Sequence, residues 1–231
     1  NQALSSEPVS ILVPVPAGTY DLQVKVKDEL GHVMTKTVSG KTYVAGQYVN
    51  FPTLSFEPST TEIDIEIASA DDWNTFATAA NENIPSYKDK VVSISSDLDF
   101  TGKDIVTLGA YDGGEGYFDG TLLGNGHSIK NLVSSNYLVG TIGSSGLVKE
   151  ITFDASCAFT VNYEAGVQSH FGPLTEYVKG RVVNCHNYAP ITLDAIEGVV
   201  PDKNIYVGGL VGRIREGLVE DCSNHGAITL S

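Results

Sequence analysis

The fold of this protein is decided by a stretch near its C-terminus, residues 207–212 (VGGLVG) followed by residues 217–230 (GLVEDCSNHGAITL). Weaker copies of this stretch lie upstream. A glycine before the second strand of each copy serves as an anchor for aligning the copies. The anchors are Gly126, Gly146, Gly180 and Gly217, and successive anchors are 20, 34 and 37 residues apart. Self-similarity at a period of a few tens of residues is the mark of a solenoid.

Apolar residues fall into columns when the copies are aligned on these glycines. The first three columns are Leu122, Ile142, Leu174 and Val211; Ile129, Val148, Val182 and Val219; and Leu132, Ile151, Cys185 and Cys222. Later positions are Cys157, Ile191 and Ile228, then Phe159, Leu193 and Leu230. Short β-branched runs in these copies alternate between apolar and polar side chains with a period of two. The spacings between the runs are too short for helices. The pattern predicts an all-β fold, a right-handed parallel β-helix whose like positions stack about 4.8 Å apart.

Two features are expected inside the coils. Asn187 and Asn224 fall at matching positions, where asparagine tolerates a left-handed turn and can hydrogen-bond along the stack. The three cysteines replace aliphatic residues in the columns, so we expect free thiols that pack as small apolar side chains. No spacing of cysteine and histidine matches a zinc site.

Residues 69–81 form the one predicted helix. Ser69 with Asp72 three residues later resembles a capping box, and an apolar stripe runs along Trp73, Phe76, Ala77 and Ala80. The helix directly precedes the first predicted core strand, residues 91–94. Because the unpaired strand edges at the end of a β-helix invite aggregation, we expect this helix to cover that end.

The composition and charge of the chain argue against some classes of function. Lys and Arg number 14 against 28 Asp and Glu, a net charge of −14, which argues against nucleic acid because phosphates must be neutralised by basic side chains. No apolar run approaches the roughly 18 residues of a transmembrane segment. We expect no cofactor, and one methionine with many Thr, Ser, Gly and Tyr residues favours a mature exported protein.

The N-terminal part has a different pattern. Residues 20–26 alternate between apolar and polar side chains, and residues 33–38 return as a second strand after a turn. Further strands are expected at residues 10–15, 41–44 and 48–56. We therefore divide the chain into a small antiparallel β-sandwich-like module, residues 1–60, and a capped β-helix, residues 61–231.

The motifs resemble two families. Residues 208–226, which run GGLVG and then GLVEDC with Asn224 and Gly226, are similar to the GLUG repeat of bacterial surface proteins. Residues 13–22 (VPVPAGTYDL) resemble the last strands of fimbrillin-like domains. Together the resemblances imply an exported protein of the cell surface or outer membrane, lipid-anchored in its full-length form and adhesive. They supply no catalytic residues, and they suggest assembly with other surface or pilus subunits.

The candidate binding site is a surface built by two long insertions, residues 160–171 and 194–207, which stacking would bring to one edge. Four aromatic residues in or near it are candidates to stack on sugar rings or to anchor a surface-protein partner: Tyr163, His170, Tyr188 and Tyr206. The alternative is that these rings only close the ends of the coils. A glycan or a surface protein is thus the expected partner.

Two further possibilities stay open. The carboxylates Asp112, Glu115 and Asp119 in a glycine-rich segment could hold Ca²⁺, although their spacing matches no defined calcium loop and an ordinary turn is the alternative. Parallel β-helices also house polysaccharide lyases and glycoside hydrolases, so catalysis is the rival to adhesion. Arg213 and Arg215, on one face of a strand, are the basis for a lyase, whereas a hydrolase needs paired carboxylates.

Overall fold

The computed structural model describes residues 16–27, 33–45, 63–109, 116–162, 169–194 and 204–230. The chain divides into two compact units, Asn1–Glu62 and Ile63–Ser231. In the first unit, β1 (Gly18–Lys27) and β2 (Val33–Tyr43) pair antiparallel. The predicted hairpin is therefore confirmed, but the strand expected at residues 41–44 is the end of β2. The strands expected at residues 10–15 and 48–56 lie outside the described residues.

The second unit begins with β3 (Ile65–Ile67), α1 (Ala70–Glu82) and the 3₁₀ turn Ile84–Tyr87. The remaining strands follow in chain order: β4 (Val91–Ile94), β5 (Leu98–Asp99), β6 (Thr121–Leu123), β7 (Ser128–Lys130), β8 (Val133–Ser134), β9 (Val139–Ile142), β10 (Leu147–Lys149), β11 (Thr152–Phe153), β12 (Ala158–Asn162), β13 (Ser169–Phe171), β14 (Thr175–Val178), β15 (Arg181–Val183), β16 (His186–Asn187), β17 (Ile191–Asp194), β18 (Ile205–Val207), β19 (Val211–Ile214), β20 (Leu218–Glu220), β21 (Ser223–Asn224) and β22 (Ile228–Leu230).

These strands form the predicted parallel β-helix. Strands one coil apart pair in parallel, which gives the sheets β3-β4-β6-β10-β15-β20, β5-β7-β11-β16-β21, β8-β12-β17-β22 and β9-β14-β19. Neighbouring strands in each of these four sheets come from successive coils. A further parallel pair, β13 and β18, lies within the two insertions. Within the described ranges, no helix has both the length and the apolar character required to span a bilayer.

Vertical columns of apolar side chains fill the interior. Val92, Leu122, Val148 and Val182 occupy equivalent positions and are fully buried. Each such side chain contributes about 1.5–3 kcal/mol by leaving water. The core is continuous from coil to coil, so each coil buries the apolar face of its neighbour.

The structure corrects the predicted columns around the first anchor. Leu147 pairs with Thr121, so the residue equivalent to Gly146 is Gly120 and not Gly126. The interval between these two coils is thus 26 residues. All five predicted columns mix residues of different positions. The expected neighbours that are confirmed outside the third column are Val148 with Val182 and Val219, Ile191 with Ile228, and Leu193 with Leu230. The true neighbours are Leu122 with Val148, Ile129 with Phe153, Leu132 with Cys157, Ile142 with Val178, Val139 with Thr175 and Val211, Phe159 with Ile191, and Val161 with Leu193.

Part of the third column is confirmed. Ile151, Cys185 and Cys222 are vertical neighbours, with the Ile151 N–H donating to Cys185 Sγ at 3.5 Å and the Cys185 N–H to Cys222 Sγ at 3.3 Å. Leu132 belongs to another column, because the loop between β6 and β7 is two residues longer than the loop between β10 and β11, and the register places Leu132 level with Cys157. All three cysteines are free thiols, as expected.

The glycine column has a packing reason. A Cβ at Gly217 would lie 2.7 Å from the carbonyl oxygen of Gly180. A Cβ at Gly180 would likewise collide with the carbonyl oxygen of Gly146. Real Cβ atoms do not approach so closely, so the coils can stack at this edge only where side chains are missing.

The asparagine prediction is half right. Asn187 Nδ2 donates to Asn224 Oδ1 at 2.8 Å, so the amides do bond along the stack. Both residues lie in strands, however. The left-handed backbone is found three residues earlier, at Asn184 and Asp221, each with φ of 52°.

The predicted helix is confirmed as α1, which packs on the first coil. Asp72 N–H donates to Ser69 Oγ at 3.2 Å, and Trp73 is fully buried with its indole N–H donating to the Val106 carbonyl oxygen at 3.0 Å. Asn74 and Asn81 side chains bond the backbone of residues 104–109. The helix is thus held to the first coil by both apolar and polar contacts.

Candidate functional site

The two insertions share one edge of the solenoid. They leave from β12 and β17, which pair with each other, and they return through β13 and β18, which also pair. Residues 163–168 and 195–203, between these strands, lie outside the described residues. The rigid strand pairs therefore fix where each insertion begins and ends.

Two of the four predicted aromatic residues come together on this edge. His170 in β13 and Tyr206 in β18 are register partners, and their rings stack with centroids 4.9 Å apart and planes at 6°. Only 6% of His170 is exposed, whereas 44% of Tyr206 is exposed. Tyr206 therefore presents the open face of its ring to solvent and rests its other face on the imidazole.

A second register pair faces the first. Tyr177 in β14 and Arg213 in β19 are partners, and the Arg213 guanidinium carbon lies 6.0 Å from the centroid of the Tyr177 ring. The Tyr177 hydroxyl and His170 Nδ1 share a hydrogen bond of 2.8 Å. The insertion strands are thereby joined to the β9-β14-β19 sheet by this hydrogen bond and by the contact of the His170 and Tyr177 rings, whose centroids are 4.9 Å apart.

A cleft of about 260 Å³ opens where these pairs meet. His170, Tyr206, Gly212 and Arg213 line it. A Cβ at Gly212 would lie 2.9 Å from Phe171 N and from the Glu176 carbonyl oxygen, so a side chain does not fit there. The glycine keeps the floor of the cleft free beside the arginine.

The electrostatics of the cleft are simple. Burial, and secondly the nearby Arg213, lower the pKa of His170, so its imidazole is neutral at pH 7. Arg213 is exposed, and no carboxylate among the described residues forms a salt bridge with it. By contrast, Arg181 pairs with Glu220 at 2.8 Å. The described lining of the cleft therefore carries a single positive charge, in a chain of net charge −14.

Tyr188 lies elsewhere. It follows β16, and its ring stacks on His225 with centroids 4.7 Å apart and planes at 9°. His225 Nε2 and His186 Nδ1 each lie within 3.0 Å of Ser223 Oγ. This polar ladder on the outer face of the β16-β21 sheet is separate from the cleft, so the predicted set of four does not form one surface.

The other candidates are only partly described. Tyr163, Asp112 and Glu115 lie outside the described residues. Asp119 accepts a hydrogen bond from the Ser145 N–H at 2.9 Å and so holds the adjacent turn. Among the described residues, no group of three or more His, Cys, Asp or Glu side chains could hold a metal ion.

Two of the residues that line the cleft, Gly212 and Arg213, were not among the predicted binding residues, and neither was Tyr177, which contacts Arg213 and His170. A signal was present in the sequence, because Tyr177 and Arg213 are 36 residues apart and so are His170 and Tyr206. Arg213 was singled out only for the catalytic alternative. No carboxylate is among the described residues that line the cleft, and Arg215 does not line it.

Comparisons with known proteins provide no further guide. No protein-family model, no curated protein and no solved structure matches the chain. The likeness of residues 208–226 to the GLUG repeat therefore stays a prediction from the motif. The chemistry of the cleft is the firmest basis for a function.

Proposed function

We propose that this protein is a non-catalytic, exported surface adhesin that binds a glycan through the cleft of His170, Tyr206, Gly212 and Arg213. The observation that carries the proposal is the half-exposed Tyr206 ring, fixed on His170 at the rim of the cleft. An aromatic face offers a large apolar contact for the C–H face of a sugar ring, with a polar tip beside it. The motif likenesses to GLUG and fimbrillin-like surface proteins support the same assignment and favour a lipid anchor in the full-length protein.

The rigidity of the ring supports a binding role. Tyr206 is held from below by His170, and its hydroxyl accepts a hydrogen bond from Asn204 Nδ2 at 3.2 Å. A side chain that is already ordered loses little rotamer freedom when a ligand binds, a loss of about 0.5–1.5 kcal/mol for a mobile side chain. The cleft is thus prepared for a ligand in the free protein.

The test is binding of the purified protein to a panel of neutral and acidic oligosaccharides, followed by Tyr206→Ala. We expect saturable binding that weakens at least about tenfold in Tyr206→Ala, because a stacked aromatic contact contributes on the order of 1 kcal/mol beyond its buried area. Tyr188→Ala is the matched comparison, since Tyr188 is also 44% exposed and also stacks on a histidine. Equal losses in both variants, or no binding to any glycan, would contradict the proposal.

The alternative is a polysaccharide lyase. The observation that favours it is a neutral imidazole beside an arginine that has no carboxylate partner within the described ranges, because a lyase needs a base and a positive group that neutralises a uronate. The imidazole Nδ1 is already engaged by Tyr177, and His170 is nearly buried. Mass spectrometry of the same glycans after incubation decides between the two functions, since an adhesin leaves every glycan intact.

A further inference from the structure

We infer that the cleft selects a saccharide that carries a carboxylate, with Arg213 binding the carboxylate while Tyr206 stacks on the sugar ring. This inference rests on the glycan-binding function proposed above and names its ligand class. Guanidinium and carboxylate are planar groups that form two parallel hydrogen bonds. An arginine is therefore well suited to distinguish a uronic or sialic acid residue from a neutral sugar.

The charge distribution supports an anionic ligand. Arg213 is the one charged residue among the described residues that line the cleft, and it has no carboxylate partner among them. Among the described lining residues, an anionic ligand would therefore meet one cation and no carboxylate. In a chain of net charge −14, most of the surface repels an acidic saccharide, so attraction is concentrated at the cleft.

The position of the guanidinium supports a specific contact. Its carbon lies 6.0 Å from the centroid of the Tyr177 ring, and the Tyr177 hydroxyl is in turn bonded to His170. The Arg213 head thus lies beside a tyrosine that bonds the histidine beneath Tyr206. A single small ligand therefore makes both contacts, with its sugar ring on Tyr206 and its carboxylate on Arg213.

The size of the cleft limits the ligand. Its volume of about 260 Å³ is just below the roughly 300–1,000 Å³ of pockets for drug-sized molecules. Gly212 adds no side chain to the space beside Arg213. One acidic sugar residue, at the end of a chain or exposed along it, fits this space better than an extended polymer.

The test compares matched pairs of glycans by isothermal titration calorimetry. The probes are sialyllactose with lactose, and a galacturonate trisaccharide with its carboxyl-reduced form. We expect at least about tenfold tighter binding of the acidic member, equivalent to about 1.4 kcal/mol. The preference is expected to decrease at high ionic strength, because the guanidinium is exposed.

The variants Arg213→Gln and Arg215→Gln distinguish carboxylate binding by Arg213 from a general effect of the protein's net charge. Both variants remove one positive charge from neighbouring positions, but Arg215 does not line the cleft. We expect Arg213→Gln to abolish the acidic preference and Arg215→Gln to retain it. A thermal unfolding curve for each variant confirms that both remain folded.

The outcomes are distinguishable from failure of the proposed function. Equal affinity for acidic and neutral members, with binding still sensitive to Tyr206→Ala, would overturn the carboxylate inference and leave glycan binding intact. A preference that persists in Arg213→Gln, or that is lost equally in Arg215→Gln, would overturn it as well. Sulfated lactose binding as tightly as sialyllactose would show that the cleft recognises anions generally and would refute selection of a carboxylate. If no probe binds, the proposed function itself fails.

Discussion

Replacing Asn187 with alanine is expected to destabilise the solenoid by about 3 kcal/mol. Asn187 is fully buried, and its amide donates to Asn224 Oδ1 at 2.8 Å and to the Ala189 carbonyl oxygen at 3.0 Å. Its Oδ1 accepts the Ala189 N–H at 3.0 Å. Truncation leaves the buried Ala189 N–H without an acceptor, a cost of about 1–3 kcal/mol, and removes two further bonds of about 0.5–1.5 kcal/mol each.

Asn224→Ala is the matched control. Asn224 is the register partner of Asn187 one coil later, and it donates to the Gly226 carbonyl oxygen at 2.8 Å. It is exposed, so in Asn224→Ala water can replace its bond to Gly226 and can reach the Asn187 amide hydrogen that Asn224 Oδ1 accepts. We expect Asn224→Ala to cost about 1 kcal/mol, close to the net value of one hydrogen bond.

Urea unfolding followed by far-UV circular dichroism measures both variants. With a slope of about 2 kcal/mol per M, the midpoint falls by roughly 1.5 M in Asn187→Ala and by roughly 0.5 M in Asn224→Ala. Fluorescence of Trp73, the single tryptophan, reports separately on the first coil. This second signal matters because a solenoid can lose coils one at a time. Equal midpoints for the two variants would refute the reasoning that burial, and not merely the hydrogen bond, sets the cost.

Two further predictions concern titrating groups. Hydrogen bonds from the Asn131 amide and, secondly, from Thr101 lower the pKa of Asp99 to about 2. This carboxylate therefore contributes to stability above its unfolded pKa of about 4, and the contribution is lost as the pH falls toward 2. Asn131→Ala should raise the Asp99 pKa toward 3.8 in a carbon-detected NMR titration, and an unchanged value would contradict the assigned cause. Iodoacetamide should label Cys222 before Cys157 and Cys185. The contact with Cys185 lowers the pKa of the half-buried Cys222 thiol, whereas burial raises the pKa values of the Cys157 and Cys185 thiols. Peptide mapping by mass spectrometry checks the order, and earlier labelling of Cys157 would disprove it.

Local patterns predicted the elements well. The core strand predicted at residues 91–94 corresponds to β4, and the capping residues Ser69 and Asp72 mark the start of α1. These features depend on residues close together in the chain, so they can be recognised without a fold. The antiparallel pair β1 and β2 was predictable for the same reason.

The register between coils was less predictable. Coil lengths differ because the insertions differ, and a glycine in a turn, such as Gly126 with φ of 78°, looks like a glycine at a stacking position. Gly120 is distinguished from it only by its pairing across the sheet, where Leu147 meets Thr121. Hydrogen bonds between coils therefore decided which of the two residues begins the coil.

The candidate site was also predictable in part from the sequence and in part only from contacts between coils. The sequence determined that the chain winds into a β-helix with aromatic insertions, because a repeated apolar pattern can bury itself in only a few ways. The tertiary structure decided that Tyr206 stacks on His170 beside Arg213, and that Tyr188 stacks on His225 instead. Which side chains become neighbours depends on vertical registration, and vertical registration is set by contacts between coils tens of residues apart.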